Sequence, residues 1–285
     1  MDFNVVSPKT EEDLLSVISE NQGSEFRFGA GFTDLLLELK GRFTSGLKVI
    51  NISQLNEEKF NNIIDMGDYI HVGTNVTSQD LIESALLNMN YNVLKEAANS
   101  VASTQIRNAA TIGGNICTAS PSGDMSCALI SLQSICEILN TNGEIREESL
   151  SEFIQNVRKT SLAKNEILRN VKIPKNNTEK QYSGFIKVGN RNSMEISIVS
   201  FAYHLQLNTI DKIIKAGIAI GSVAPRIPFA KDACIYLEGK IFNQILLNER
   251  EELAKKVLQY ASPISDIRAS EWYRKEVLYN ICRDI

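Results

Sequence analysis

The chain has 285 residues, 43% of them hydrophobic and 22% charged, with a net charge of −4. That length fits two domains at about 100–200 residues each, with enough apolar residues for a packed core. The near balance of charge argues against the basic face of a nucleic-acid binder and against a polybasic membrane-surface protein.

No apolar run reaches the roughly 18 residues that span a bilayer. The opening Met1-Asp2-Phe3-Asn4-Val5-Val6 has no basic stretch followed by an apolar one, so a secretory signal is not expected. The five cysteines, Cys117, Cys127, Cys136, Cys234 and Cys282, form no Cys-x-x-Cys pair. They read as reduced thiols in a cytoplasmic protein, with a metal or iron–sulfur site as the alternative.

Thr10 is placed to cap a helix with Leu14, Leu15 and Ile18 on one face. Phe26-Arg27-Phe28 reads as a strand entering a Gly-rich turn, and Leu47-Lys48-Val49-Ile50 and Tyr69-Ile70-His71-Val72-Gly73 read as further strands. Ser78-Gln79-Asp80-Leu81 opens a helix expected to run to about Met89, and a second helix is expected over residues 93–101. Residues 108–121 are small, polar and Gly-containing, with neither helical nor strand periodicity, and read as a loop that brings backbone amides close to something.

A buried helix over 125–132 follows, then a strand over 135–139, a hairpin turn at Asn142-Gly143 and a strand over 167–173 ending at Pro174. The polar run 175–181 is the expected linker between a first domain, 1–175, and a second, 182–285. In the second domain, strands over 198–208 and 212–221 precede helices over 249–260 and 269–283, with Trp272, Val277 and Ile281 at apolar positions. Strands followed by helices make it a small α+β domain.

Two small-residue loops carry the chemistry. In Phe28-Gly29-Ala30-Gly31-Phe32-Thr33-Asp34-Leu35, the third glycine of a Gly-x-Gly-x-x-Gly motif would fall at Asp34, so a dinucleotide-binding Rossmann turn is excluded. No Gly-Lys-Ser/Thr occurs either, which excludes a P-loop. What remains is either an ordinary tight turn or a concavity of amides that binds an anion such as a pyrophosphate.

The second loop, 111–124, repeats the device with Thr111-Ile112-Gly113-Gly114-Asn115, then Thr118 and Ser120. Asp124 there either caps the following helix or accepts hydrogen bonds from ribose hydroxyls. The two loops lie about 80 residues apart, which points to a ligand with two polar parts gripped by both. Neither loop holds a Ser–His pair, a carboxylate dyad or a metal cluster, and the only histidines, His71 and His204, sit in strand-like alternation. Chemistry carried by a bound cofactor is therefore favoured, with no catalytic side chain and no metal ligand assigned.

These residues resemble a known family. Ile106-Arg107-Asn108-Ala109-Ala110-Thr111-Ile112-Gly113-Gly114-Asn115-Ile116, with Ala119-Ser120-Pro121 and Asp124 beyond, is similar to the signature of the FAD-binding subunit of molybdenum hydroxylases. Xanthine dehydrogenase, carbon monoxide dehydrogenase (its medium subunit) and nicotinate dehydrogenase are of this type. Ala30-Gly31-Phe32-Thr33-Asp34-Leu35 resembles the family's Ala-Gly-Gly-Thr-Asp-Leu loop, with Phe32 in place of the second glycine. Lys187, Arg191 and Ile196 match a third block, and Gly221-Ser222-Val223-Ala224-Pro225 and Tyr273-Arg274-Lys275-Glu276-Val277-Leu278 match the C-terminal domain.

The resemblance implies an α+β fold: a vanillyl-alcohol-oxidase (PCMH)-type FAD-binding domain followed by a small α+β domain of the CO dehydrogenase flavoprotein type. It implies that Phe28, Gly29, Ala30, Gly31, Phe32, Thr33, Asp34 and Leu35, with Thr111, Ile112, Gly113, Gly114 and Asn115, hold the FAD pyrophosphate and ribityl region. Thr118 and Asp124 would lie at cofactor hydroxyls, Leu168 near the adenine or flavin, Lys187 by the cofactor, and Val101 extends the set. Lys187 and Arg191 either stabilise charge on reduced flavin or form surface salt bridges.

The implied partners are a molybdopterin-binding large subunit and a small subunit with two-iron clusters, with NAD+ or another molecule as electron acceptor. Xanthine dehydrogenase is the first expectation for the whole complex; nicotinate and carbon monoxide enzymes stay open. Rival readings are a stand-alone flavoprotein oxidoreductase and a non-catalytic assembly subunit.

Overall fold

The structure is a computed structural model that describes residues 3–40, 45–88, 90–175, 178, 180–191 and 194–284. The first lobe comprises β1 (Asn4–Val6), α1 (Glu11–Asn21), β2 (Phe26–Gly29), α2 (Leu35–Leu39) and β3 (Lys48–Asn51). Its strands form a parallel sheet in the order β1-β3-β2. Thr10 caps α1 by accepting from the Asp13 amide at 3.1 Å, and α1 turns Leu14 and Ile18 onto Ile50 and Phe60.

Next come α3 (Glu58–Asn61), β4 (Ile63–Asp65), β5 (Tyr69–Gly73), α4 (Ser78–Glu83), α5 (Ala85–Asn88), α6 (Asn92–Asn99), α7 (Thr104–Arg107), α8 (Ile112–Thr118) and α9 (Asp124–Ser131). They are followed by β6 (Ile135–Asn140), β7 (Ile145–Ser149), α10 (Leu150–Phe153), β8 (Ile154–Asn156), β9 (Lys159–Thr160) and β10 (Glu166–Pro174). An antiparallel sheet in the order β4-β5-β10-β6-β7 shares one core with α4, α6, α8 and α9. The turn of the β6–β7 hairpin uses Gly143 at φ +79°, a left-handed conformation open to glycine.

The C-terminal domain holds β11 (Lys180–Val188), β12 (Val199–Leu207), β13 (Ile213–Gly221), α11 (Lys231–Leu237), α12 (Leu247–Leu258) and α13 (Glu271–Asp284). Its three strands form an antiparallel meander in which β12 and β13 are buried on both faces. Val199, Phe201 and Leu205 of β12 and Ile218 and Ile220 of β13 face the domain's own helices. The alternate residues Ala202 and Ala219 join the core of the first domain. Period-two alternation thus serves two different cores. The second contact is close: a Cβ on Gly217 would lie 1.9 Å from the Ser131 carbonyl oxygen at the end of α9.

Several expectations are corrected. The helix expected from Ser78 to Met89 breaks at Ser84 into α4 and α5, and Met89 lies outside the described residues. The stretch 108–121 is not a loop throughout, because it contains α8. Asp124 does not cap α9: it is that helix's first residue, and Gly123 occupies the cap position. In the expected linker, Asn176, Asn177 and Glu179 lie outside the described residues, while Lys180 and Gln181 already belong to β11. Trp272 is 68% exposed, and Arg274, Leu278 and Cys282 are the residues α13 buries.

Candidate functional site

The first loop leaves β2 at Gly29 and enters α2 at Leu35. Between them, Phe32 adopts φ +58°, the left-handed region where a side chain costs about 1–2 kcal/mol. A glycine would take that conformation freely. The Phe32 ring lies against Gly29, where an added Cβ would meet it at 2.4 Å, so the ring folds back onto β2. Gly31 is required by a second approach: a Cβ there would lie 1.7 Å from the Ala109 carbonyl oxygen. The two small-residue segments therefore touch backbone to backbone. The amides of Ala30, Gly31, Phe32, Thr33 and Asp34 donate to no acceptor among the described residues. Backbone N–H groups are rarely left unpaired except toward water or a ligand.

The second segment is built differently. Thr111 caps α8 by accepting from the Gly114 amide at 3.0 Å. The Ile112 amide donates to Val76 O at 2.9 Å, that of Gly113 to Thr74 O at 3.0 Å and that of Asn115 to Thr111 O at 3.0 Å. All four amides are thus used inside the chain. Gly113 is a packing glycine, since a Cβ there would lie 1.6 Å from Thr74 Oγ1. Gly114 is exposed, and its Cβ position meets only Thr111 Oγ1 at 3.0 Å. The Asn115 side chain faces inward, where its Oδ1 accepts from the Ser126 amide and hydroxyl at 3.2 and 3.0 Å.

Thr118 and Asp34 are brought together, with Thr118 Oγ1 donating to Asp34 Oδ2 at 3.3 Å. Arg158, on the tip of the β8–β9 hairpin, donates to the same oxygen at 2.6 Å. Asp124 and Lys187 are joined across the domain boundary: Lys187 Nζ lies 2.7 Å from Asp124 Oδ2 and 3.1 Å from Ser100 O. The two side chains are 7% and 13% exposed. Burial pushes the Asp124 carboxyl above its usual range, and the Lys187 ammonium opposes that shift. The second oxygen, Asp124 Oδ1, is buried without a hydrogen-bond partner.

Two members of the sequence-derived set sit deeper. Val101 is half-buried against the core, and Arg107 holds its carbonyl at 3.1 Å. Leu168 is fully inside, beside a register shift in the pairing of β10 with β6.

Sequence reasoning missed Arg158, which no motif marks. It also missed how Ser222 and Arg274, quoted only as parts of blocks, reach the site. Ser222, at φ +65°, donates its amide to Pro121 O at 2.8 Å and its hydroxyl to Ser122 Oγ at 2.9 Å. Arg274 Nη1 holds Ser222 O at 2.9 Å and Ile198 O at 2.6 Å, and Nη2 binds Asp266 at 2.8 Å. The C-terminal domain thereby grips the turn that leads into Asp124.

Five unengaged amides in a left-handed turn, an open face at Gly114 and an orphaned buried carboxylate oxygen suit a ligand with anionic oxygens at one part and hydroxyl donors at another. An FAD diphosphate and its ribityl or ribose hydroxyls have that chemistry.

Comparison with known proteins agrees. Residues 1–176 match the family described as FAD binding domain in molybdopterin dehydrogenase, and residues 185–285 match the CO dehydrogenase flavoprotein C-terminal domain. The chain is 28% identical over 277 residues to a xanthine dehydrogenase FAD-binding subunit of Escherichia coli O157:H7, covering 97% of this chain and 92% of that one. It is 29% identical over 201 residues to the nicotinate dehydrogenase FAD-subunit of Eubacterium barkeri, covering 70% and 67%. A reconstituted CO dehydrogenase from Oligotropha carboxidovorans has the same fold, with a TM-score of 0.90 at 21% identity over 100% of this chain and 96% of that one. The chain belongs to the FAD-binding family of molybdopterin dehydrogenases: it is the FAD-binding subunit of a molybdenum hydroxylase, an oxidoreductase built as an FAD-binding domain followed by a CO dehydrogenase flavoprotein C-terminal domain.

Proposed function

We propose that this chain carries electrons from the two-iron clusters of a small iron–sulfur subunit, filled by a molybdopterin-binding large subunit, to NAD+, as part of a cytoplasmic xanthine dehydrogenase. Relatives named as xanthine dehydrogenase FAD-binding subunits support the purine reading. Nicotinate dehydrogenase is the second reading, supported by the similar identity of its FAD-subunit.

The observation that carries the binding site is the run of unengaged amides at Ala30–Asp34, set directly against the Ala109 backbone. These amides would hold the FAD diphosphate, with Phe28, Gly29 and Leu35 fixing the ends of the turn. Gly114 would let the cofactor pass close to α8, while Thr111, Ile112, Gly113, Asn115 and Thr118 fix that helix and its neighbours. Asp124 Oδ1 would accept from a cofactor hydroxyl, with Lys187 holding Asp124 in place. Val101 and Leu168 would supply apolar surface behind the ring systems.

When bound, FAD supplies two-electron storage between a one-electron donor and a hydride acceptor. The chain's part is to bind and orient it between the two.

The first test is the visible spectrum of the purified full chain, as isolated and after incubation with FAD and desalting. Flavin bands released as FAD on denaturation are expected. A chain that stays colourless, even when co-purified with its molybdenum and iron–sulfur partners, would leave the two segments as turns and the assembly reading in force. In the complex, NADH:dye activity tests NAD+ as the acceptor, and xanthine against nicotinate turnover tests the substrate.

A further inference from the structure

We propose that Arg158 sets the affinity of this chain for its cofactor, by neutralising Asp34 beside the diphosphate. The inference rests on the placement of the FAD diphosphate at Ala30–Asp34 given above. That turn is a row of donors with one exception, the Asp34 carboxylate at its end. A carboxylate left bare there would repel a ligand carrying two phosphates, because like charges within about 10 Å lie inside one Debye length.

The structure answers this with a cation from a distant part of the chain. Arg158 Nη1 donates to Asp34 Oδ2 at 2.6 Å, 124 residues away in sequence. The guanidinium is aimed there by its own backbone. Arg158 sits at φ +57° in the β8–β9 hairpin, and its amide donates to Ala119 O at 3.0 Å, where α8 ends. Ala119 is itself left-handed, at φ +48°. One residue thus contacts the end of the α8 segment through its backbone and the first loop through its side chain. Arg27, a cation on the strand that leads into the turn, is engaged by Glu38 at 2.8 Å.

The exposure of the pair separates this role from a structural one. The side chains of Arg158 and Asp34 are 55% and 49% exposed. An ion pair so open to water adds little to folding stability. Its charge still cancels that of Asp34 at the end of the turn, within the range over which a bound anion would feel it.

The test is titration of the flavin-stripped full chain with FAD, followed by flavin fluorescence, with a thermal melt of each variant. Arg158→Gln is expected to melt within about 2 °C of the parent, as a surface change does. It is expected to bind FAD about tenfold more weakly, with the deficit shrinking at high salt. Arg158→Lys keeps the charge and should stay within about threefold of the parent. The double variant Arg158→Gln/Asp34→Asn should recover most of the loss, since it removes the repulsion along with its neutraliser.

An Arg158→Gln chain that binds FAD as the parent does would overturn the proposal. So would a double variant as weak as Arg158→Gln alone, since the contact would then act as a fastener between loops. A parent chain that takes up no FAD refutes instead the placement of the diphosphate, an outcome distinct from either of these.

Discussion

The ion pair between Asp124 and Lys187 joins the two domains, and Lys187→Met isolates it. The substitution keeps an unbranched apolar stem of similar length and deletes the ammonium. Asp124 then loses its 2.7 Å partner while remaining 7% exposed, with its other oxygen already unpartnered. Removing one member of a buried pair costs about 3–5 kcal/mol. The helix-dipole contribution to Asp124, as first residue of α9, is present in parent and variant alike and cancels. A net loss of about 3 kcal/mol is expected, which for a chain of this size lowers the melting temperature by about 6 °C or more.

The pH dependence gives the sharper check. Burial raises the folded-state pKa of Asp124 above the ordinary aspartate range, and Lys187 partly offsets this. Without Lys187 the folded value rises further. A group with a raised folded pKa contributes stability below its unfolded value and loses it as pH rises through the folded value. The deficit of Lys187→Met relative to the parent should therefore be largest at alkaline pH and shrink on acidification. Asp124→Asn/Lys187→Met should regain most of the stability and lose that pH dependence. Circular-dichroism melts between pH 5 and pH 8 measure both effects. A single variant within about 1 kcal/mol of the parent at every pH would refute the reasoning, leaving apolar packing of α6 and α9 on the sheet to hold the domains together.

Three further outcomes are expected. Gly113→Ala forces a Cβ to within 1.6 Å of Thr74 Oγ1, so α8 must lift and stability should fall by about 2–3 kcal/mol in a denaturant titration. Gly114→Ala meets only Thr111 Oγ1, so it should melt as the parent does while FAD titration shows weakened binding; normal affinity would mean the cofactor does not pass that face. Arg274→Leu strips the donor from two carbonyls, Ile198 O and Ser222 O, at about 1–3 kcal/mol each, and a cost under 1 kcal/mol would show that water replaces the guanidinium. Although burial pushes it up, the Arg268 and Ala269 amides and Arg274 hold the Asp266 carboxyl at about 2, below the ordinary aspartate range. That contribution is present above the unfolded value and lost as pH falls through about 2, so the Arg274→Leu deficit should narrow only in strong acid.

Local patterns were legible where a single period or cap decides the structure. Thr10 and α1, the β6–β7 hairpin at Asn142-Gly143 and the paired strands β12 and β13 follow directly from the order of residues. The pattern failed where tertiary contact outweighs propensity. α8 carries two adjacent glycines, each costing a helix about 1 kcal/mol, and forms because the Thr111 cap and the bonds to Val76 O and Thr74 O hold its first turn. β11 begins inside the polar run that reads as a linker, because nine-residue pairing with β12 supplies its partners whatever its side chains are.

The site divides along the same line, which is why its glycines and charges were harder to place than its loops. Composition shows that two segments can come close to a ligand, but not which atoms are already spent. Gly31 and Gly113 serve chain-to-chain contact, at Ala109 O and Thr74 Oγ1, and only Gly114 is left open. The amides of the second segment are consumed in capping and anchoring α8, so the capacity to hold an anion falls to the first segment, where five amides have no acceptor among the described residues. Asp124 and Lys187 read separately as two cofactor contacts, yet each is the other's principal partner. Asp34 reads as one more loop residue, yet it pairs with Arg158 from a hairpin that no motif marks. Charges are assigned by distance rather than by sequence neighbourhood. The carboxylates of these segments therefore take their cations from wherever the fold brings them: Asp124 from β11 and Asp34 from the β8–β9 turn.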